Sequence, residues 1–381
     1  MGIKVLHLID SGGLYGAEKM LLSLVQEQIK QGLEPMILSA GEPGTVEKPI
    51  EAEAKRLELP VMAWRMKPGL NLRGSIAIIR WSRNEGYELL HSHGYKFNVL
   101  MGLWPKAFRK IPLITTLHGY IKARRYSKSW MYESLDRFAL RKMDAVVLVT
   151  DAMKKDIPEE IVSSRNTVVI VNGLETEQLK QSAAEPLPSE LSLIMKHHSP
   201  LLLAVGRLSH EKGFDRLIDA FKVVKDKYAE AGLIIIGEGR ARQNLEQQVA
   251  DSGLRDSIYL PGYFESVPAL MAHADLLCMP SRTEGMPITL LEAMAVGLPL
   301  CASDVGDVNR VLGGGKGGKV SPVSDSESLA NDLLACLDDP GQLRRAADWA
   351  KDCVNRNYSA KQMAIQYSAV YRQTLADIAV T

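Results

Sequence analysis

Twice along the 381 residues the same local pattern runs its course, and it leaves the chain few ways to fold. A short, almost uninterrupted apolar run is followed by a turn and then by a stretch of helical spacing. Ile3–Ile9 is such a run. Gly12, Gly13 and Gly16 make the loop after it, and Met20, Leu21, Leu24, Val25 and Ile29 set one face of the next helix. Further strand-like runs stand at Pro35–Ser39, Leu89–Ser92, Leu113–Leu117 and Ala145–Val149. Apolar runs without polar alternation, spaced by helix-length segments, describe a parallel sheet covered by helices on both faces. Residues 177–200 interrupt the pattern with Pro186, Pro188 and Pro200 and no strand signal, the composition of an interdomain connection.

The pattern then restarts, with strands expected at Leu201–Val205, Gly232–Ile236, Ile258–Leu260, Asp275–Met279 and Pro299–Ala302. Single cores stop growing near ~250–300 residues, so the length agrees with two domains. The expectation is α/β, with an N-terminal domain over 1–180 and a C-terminal domain over 181–381. Each is a doubly wound parallel sheet, the two face each other across a cleft, and ligands lie beyond the carboxyl ends of the strands. The last stretch, Tyr358–Ala379, has helical spacing and suits packing on either domain.

Several classes drop out. Cys278, Cys301, Cys336 and Cys353 include no C-x-x-C pair, so neither a disulfide scaffold nor a zinc ribbon is expected, and Cys278 and Cys301 read as core residues. The opening MGIKVLHLID is too short for a signal peptide, and no run reaches the ~18 uncharged apolar residues of a membrane span. A reducing cytoplasm is the expected setting. A net charge of +1 argues against a surface made to coat nucleic acid.

Two segments carry the chemistry. In Ser281–Asp304, Glu284 sits in a loop after a strand, Gly285, Met286 and Pro287 lead into a helix, and Glu292 lies inside it. A helix start between two carboxylates offers free N–H groups and a positive dipole end to an anion, and acceptors to hydroxyls. In Leu201–Phe214, Arg207 and Lys212 follow a strand ending at Gly206, so a guanidinium and an ammonium both reach the strand-end crevice. Such a pair neutralises a diphosphate without a metal.

These segments, with Gly237-Glu238-Gly239, Gly12-Gly13, Gly16-Ala17-Glu18, the THG of Thr116–Gly119 and the VNG of Val171–Gly173, occur in an order that resembles the retaining glycosyltransferases of family 4, which have the GT-B fold of two Rossmann-like domains. The resemblance runs along essentially the whole chain and implies roles residue by residue. Arg207 and Lys212 would hold the donor diphosphate and stabilise the departing nucleotide. Ile288 and Thr289 would add backbone N–H donors, and Gly206 and Gly285 would line the same site. Glu292 would accept from the ribose hydroxyls, and Glu284 would face the transferred sugar. His118 would reach that sugar from the N-terminal domain, and Gly12 and Gly13 would lie by the diphosphate and acceptor. The implied donor is a UDP- or GDP-linked sugar, with no cofactor and no metal. Glu175 and Arg240 depart from the commonest pattern, away from this chemistry.

Other motifs lead elsewhere or nowhere. His91 and His93 share one face at a strand end, with no third metal ligand evident nearby. Gly313–Lys319 misses the phosphate loop because Val320 takes the hydroxyl position, and reads as a flexible loop. Residues 101–150 hold ten basic and three acidic side chains, with Lys106, Arg109, Lys110, Lys122, Arg124, Arg125 and Lys128 near Tyr120, Tyr126, Trp130 and Tyr132. That mixture suits either peripheral contact with an anionic inner leaflet or an anionic acceptor, sugar or lipid-linked. The total charge hides an asymmetry: residues 1–180 carry 26 basic and 20 acidic groups, residues 181–381 carry 20 and 25. A sugar-nucleotide epimerase of the same fold and a non-catalytic homologue are the rival classes.

Overall fold

The computed structural model describes all residues except Met1, Ser11, Tyr15, 119–127, Asp156, Arg165, Gly285, Met286, Val380 and Thr381, and leaves out the side chains of 128–133, Ala152 and Ala379. The chain divides into two compact units. One comprises Met1–Gly173 with Ala360–Thr381, the other Leu174–Ser359.

The first unit is built on a seven-stranded parallel sheet: β1 (Lys4–Ile9), β2 (Glu34–Gly41), β3 (Val61–Arg65), β4 (Leu89–Ser92), β5 (Leu113–Leu117), β6 (Ala145–Leu148) and β7 (Thr167–Val169), in the order β3-β2-β1-β4-β5-β6-β7. The second unit has β8 (Leu201–Val205), β9 (Gly232–Ile236), β10 (Ile258–Gly262), β11 (Leu276–Met279), β12 (Leu300–Ser303) and β13 (Lys319–Ser321), ordered β10-β9-β8-β11-β12-β13. Both are doubly wound. The order reverses between β1 and β4 in one sheet and between β8 and β11 in the other, where loops leaving neighbouring strands diverge and open a crevice.

β3, β7 and β13 were not expected, and all three are edge strands. An edge strand pairs on one side only and needs no continuous apolar run; β3 and β7 are largely half-buried. The central strands carry the expected pattern, with β4, β5 and β6 buried at every position.

The unit boundary falls at Gly173/Leu174 rather than 180/181, because the helix Thr176–Ala183 packs on Val267–Met271 and Ile288–Val296 of the second unit. A second helix, Ser189–Lys196, completes the connection after Pro186 and Pro188 break the first. The terminal helix Ala360–Ala379 joins the first unit and packs on Gly16–Lys30. Met363, Ala364, Tyr367 and Tyr371 are buried against Val5, Met20 and Leu24. Burying each of the larger side chains contributes about 1.5–3 kcal/mol. The Gly313–Lys319 segment is no free loop: a Cβ at Gly313 would lie 2.4 Å from the Trp349 ring. Among the described residues no helix is long and apolar enough to cross a membrane.

Candidate functional site

In the second unit the loops after β8 and β11, the two strands flanking the switch point, hold the residues expected to carry the chemistry. β8 runs into Gly206 and Arg207, and a single 3-10 turn, His210–Lys212, follows. The Lys212 stem lies over Gly206, where a Cβ would stand 3.2 Å from Lys212 Cε. Gly237, after β9, must be glycine: it has φ +141°, and a Cβ there would sit 1.9 Å from the Gly206 carbonyl oxygen.

The loop after β11 delivers Glu284. Lys212 Nζ donates to Glu284 Oε1 at 2.5 Å, and Ser281 Oγ donates to the same oxygen at 2.7 Å. The two residues are 72 positions apart, and three contacts clamp their loops together. The Arg282 guanidinium donates to both Asp215 carboxylate oxygens at 2.8 and 2.6 Å, and its Nη1 also donates to the His210 carbonyl at 2.7 Å. The Arg282 backbone N–H donates to the Glu211 carbonyl at 2.7 Å. Arg216 Nη2 donates to the Pro280 carbonyl at 2.5 Å, and Nη1 to that of Ser324. Asp215, Arg216, Ser281 and Arg282 escaped the sequence reading. Asp215, Arg216 and Arg282 look like any exposed polar residues until their partners, more than 60 positions away, are known.

Arg207, in the same loop as Lys212, is exposed. The helix Ile288–Val296 begins after Pro287 with no side-chain cap and no acidic residue in its first turn. Its first N–H groups, at Ile288 and Thr289, have no intrahelical partner. Glu292 lies half-buried within this helix. Gly285 is outside the described residues.

In the first unit, Gly12 and Gly13 form a bend after β1, Gly12 exposed and Gly13 buried. Asp10, just before them, accepts from Lys48 Nζ at 2.8 Å and Lys96 Nζ at 2.7 Å. Burial pushes the Asp10 pKa up, but the bonds from Lys48 and Lys96 outweigh it and hold the carboxyl below its usual range.

His118 follows β5, and behind it lies a cluster the sequence did not announce. His7 from β1 joins His91 and His93 of β4, the donor atoms of the three within 4.8 Å of one another and all three side chains buried. The third partner that H-x-H lacked in sequence is therefore supplied by the neighbouring strand, where His7 stands directly opposite His91. Burial pulls the His7 pKa down to about 4 against the bond to Gln28, and that of His118 down to about 4 against the Glu18 charge. His91 and His93 lie lower than usual for the same first reason, with neighbouring imidazoles adding to it.

The pH dependence follows. Between pH 6.5 and 4 the unfolded chain takes up protons that the buried imidazoles refuse, so stability is complete above 6.5 and falls toward 4. The loss for His7 and for His118 is on the order of 3 kcal/mol each. Four of the five tryptophans, Trp64, Trp81, Trp104 and Trp130, belong to the first unit, so tryptophan fluorescence follows this unfolding. A lower urea midpoint at pH 5 than at pH 7 is expected, and equal midpoints would contradict it.

The basic and aromatic patch changes character. Arg109 is fully buried, its Nη2 donating to Asp144 Oδ2 at 3.2 Å, and Lys106 pairs with Asp144 Oδ1 at 2.5 Å. Arg109 is therefore no surface contact for membrane or acceptor. Lys110 is exposed. Lys122, Arg124, Arg125, Tyr120 and Tyr126, with the side chains of Lys128, Trp130 and Tyr132, lie outside what is described.

Comparison with known proteins accounts for both halves. Residues 15–178 match the family model described as Glycosyltransferase Family 4, and residues 192–352 the one described as Glycosyl transferases group 1. The chain is 24% identical to the alpha-D-kanosaminyltransferase of Streptomyces kanamyceticus, over 93% of this chain and 98% of that one. It is 24% identical to the UDP-Gal:alpha-D-GlcNAc-diphosphoundecaprenol alpha-1,3-galactosyltransferase of Escherichia coli, over 71% of each. Among solved structures, Anabaena Alr3699/HepE in complex with UDP superposes with a TM-score of 0.75 at 20% identity, over 97% of this chain and all of that one. Two parallel doubly wound units, the first matched by the family 4 model and the second by the group 1 model, make this chain a glycosyltransferase of the GT-B fold.

Proposed function

We propose that the protein transfers a sugar, with retention of anomeric configuration and without a metal ion, from a nucleotide-diphosphate sugar to the hydroxyl of a sugar or lipid-linked acceptor. The observation that carries the reading is the Lys212–Glu284 pair, held at 2.5 Å, with exposed Arg207 in the same loop as Lys212 and an uncapped helix start four residues after Glu284. In this reading Arg207, Lys212 and the N–H groups of Ile288 and Thr289 hold the diphosphate, Glu292 accepts from the ribose, and Glu284 and His118 address the sugar. Gly12, Gly13, Gly206 and Gly285 allow close approach of the ligand.

The bond from the anomeric carbon to the phosphate oxygen breaks, and the cations stabilise the charge that collects on the leaving diphosphate. The acceptor hydroxyl attacks from the same side, its proton passing to the departing phosphate oxygen. Solved UDP bound to Alr3699/HepE and the UDP-galactose and diphosphoundecaprenol in the name of the E. coli relative support the donor and acceptor classes.

The test is a panel of UDP- and GDP-sugars read by thermal shift. Ligand at 100 times its Kd stabilises by about 2.7 kcal/mol through mass action, so one nucleotide sugar should stand out. Transfer by that donor should persist in EDTA. A flat panel, or conversion of the donor sugar with no acceptor present, overturns the reading; the second result would be that of an epimerase.

A further inference from the structure

The buried imidazoles of the first unit belong to one hydrogen-bonded chain. His118 Nε2 lies 3.3 Å from His93 Nδ1, His93 Nε2 3.0 Å from His7 Nδ1, and His7 Nε2 2.9 Å from Gln28 Oε1. Beyond Gln28, its Nε2 donates to Tyr371 Oη at 3.1 Å, and Tyr371 Oη lies 2.7 Å from His91 Nδ1. His91 Nε2 is 2.8 Å from Thr116 Oγ1, which is 2.9 Å from Tyr367 Oη. All six ring nitrogens of His7, His91 and His93 are thus engaged, leaving no spare lone pair to bind a metal.

Gln28 sets the direction. Its carbonyl only accepts, so His7 Nε2 carries the proton. A neutral imidazole has one N–H, so His7 Nδ1 accepts and His93 Nε2 donates. By the same step His93 Nδ1 accepts and His118 Nε2 donates. What remains is the lone pair on His118 Nδ1, a buried atom with no hydrogen-bond partner among the described residues. On the other side the amide N–H occupies the Tyr371 oxygen, so that hydroxyl donates to His91 Nδ1, His91 Nε2 donates to Thr116, and Thr116 donates to Tyr367. Every bond points the same way. Turning the Gln28 amide over would reverse them all and leave His118 with an N–H instead. Such a chain is cooperative, and a buried polar atom without a partner is costly enough to call for a role.

We propose that the Gln28 amide, acting through His7 and His93, holds His118 as its Nε2–H tautomer, so that Nδ1 is kept as the acceptor for a hydroxyl of the bound sugar. The second half rests on the reading of His118 as a sugar contact; the first does not. Gln28, His7 and His93 are positioning residues, and the terminal helix closes the chain through Tyr371 and Tyr367.

The test uses full-length protein labelled with 15N-histidine, without substrate, at pH 7. His118, one of eight histidines, is identified by the signal missing from His118→Gln. The expected spectrum has a pyridine-like Nδ1 and a pyrrole-like Nε2 at His118. Gln28→Leu removes the acceptor and should move both shifts toward a tautomer average. Gln28→Glu should keep them, because a carboxylate, or its neutral acid with the carbonyl toward His7, still accepts from His7 Nε2. On substrates, kcat/KM should fall about tenfold in Gln28→Leu and stay within about threefold in Gln28→Glu, the worth of one misdirected hydrogen bond. A protonated or averaged Nδ1 in the wild type overturns the proposal, as does a Gln28→Leu spectrum equal to wild type. So does a shift of the His7, His91 and His93 signals with zinc ion alone, which would make the trio a metal centre. Should Gln28→Leu fail to fold, the wild-type and Gln28→Glu spectra still decide. Because the spectra need no nucleotide sugar, failure of the transfer reading leaves them intact. Unchanged kcat/KM in Gln28→Leu with a lost tautomer overturns only the assignment of Nδ1 to a sugar hydroxyl.

Discussion

Lys212→Ala is expected to lower kcat by roughly 10²–10³, and Arg207→Ala by the same order, because in the proposed reaction each supplies a cation where charge collects in the transition state. The two differ in what they leave behind. Lys212 is paired with Glu284 at 2.5 Å, so its removal leaves a carboxylate that, among the described residues, Ser281 still serves. Arg207 is exposed, and its loss breaks no hydrogen bond among the described residues. The fold should survive both changes, with stability within about 0.5 kcal/mol for Arg207→Ala, the range of an exposed substitution. Steady-state kinetics with the donor found in the panel, together with a thermal melt, check the pair. A group used only in the transition state lowers kcat and kcat/KM together. A rise in KM with kcat preserved would reduce Lys212 to a ground-state anchor, and near wild-type kinetics in both variants would remove the diphosphate assignment.

The largest expected effect on stability lies elsewhere, at Asp144→Ala, with a loss of about 3–5 kcal/mol. Arg109 is fully buried, and burial already draws its pKa down while Asp144 works the other way. Its remaining bond is from Nη1 to the Met101 carbonyl at 3.3 Å, and its Nε is buried without a partner among the described residues. Taking Asp144 away leaves a guanidinium in the core with no counter-charge, and it also orphans the Leu113 N–H, which donates to Asp144 Oδ2 at 2.9 Å. Replacing both members by leucine should recover most of the loss, since neither charge then has to be desolvated. Urea melts followed by tryptophan fluorescence read this unit. A loss under about 1 kcal/mol in Asp144→Ala would show that water reaches Arg109.

Much of the second unit and of its candidate site was legible in sequence because the signals are local. The central strands are buried on both faces and mostly apolar, and such runs are visible without a partner. Gly206, Arg207, Lys212, Glu284 and Glu292 stand at spacings dictated by two strand ends and one helix start. The edge strands β3, β7 and β13 were missed because one-sided pairing asks little of composition. Arg109 was misread because a basic side chain carries no mark of burial; Asp144, 35 positions later, is what permits it.

Two doubly wound α/β units and the residues at the carboxyl ends of β8 and β11 can be read along the chain, since period, run length and glycine placement are properties of contiguous residues. Only the tertiary structure decided the rest. An apolar stripe does not name its partner, so the place of the Ala360–Ala379 helix emerged only when Tyr367 and Tyr371 were found against β1, β4 and β5. His7, His93 and His118 lie far apart in the chain, and each reads alone as an ordinary strand or strand-end histidine. Parallel pairing of β1 with β4 and of β4 with β5 brings them into hydrogen-bond range, and burial then strips them of charge.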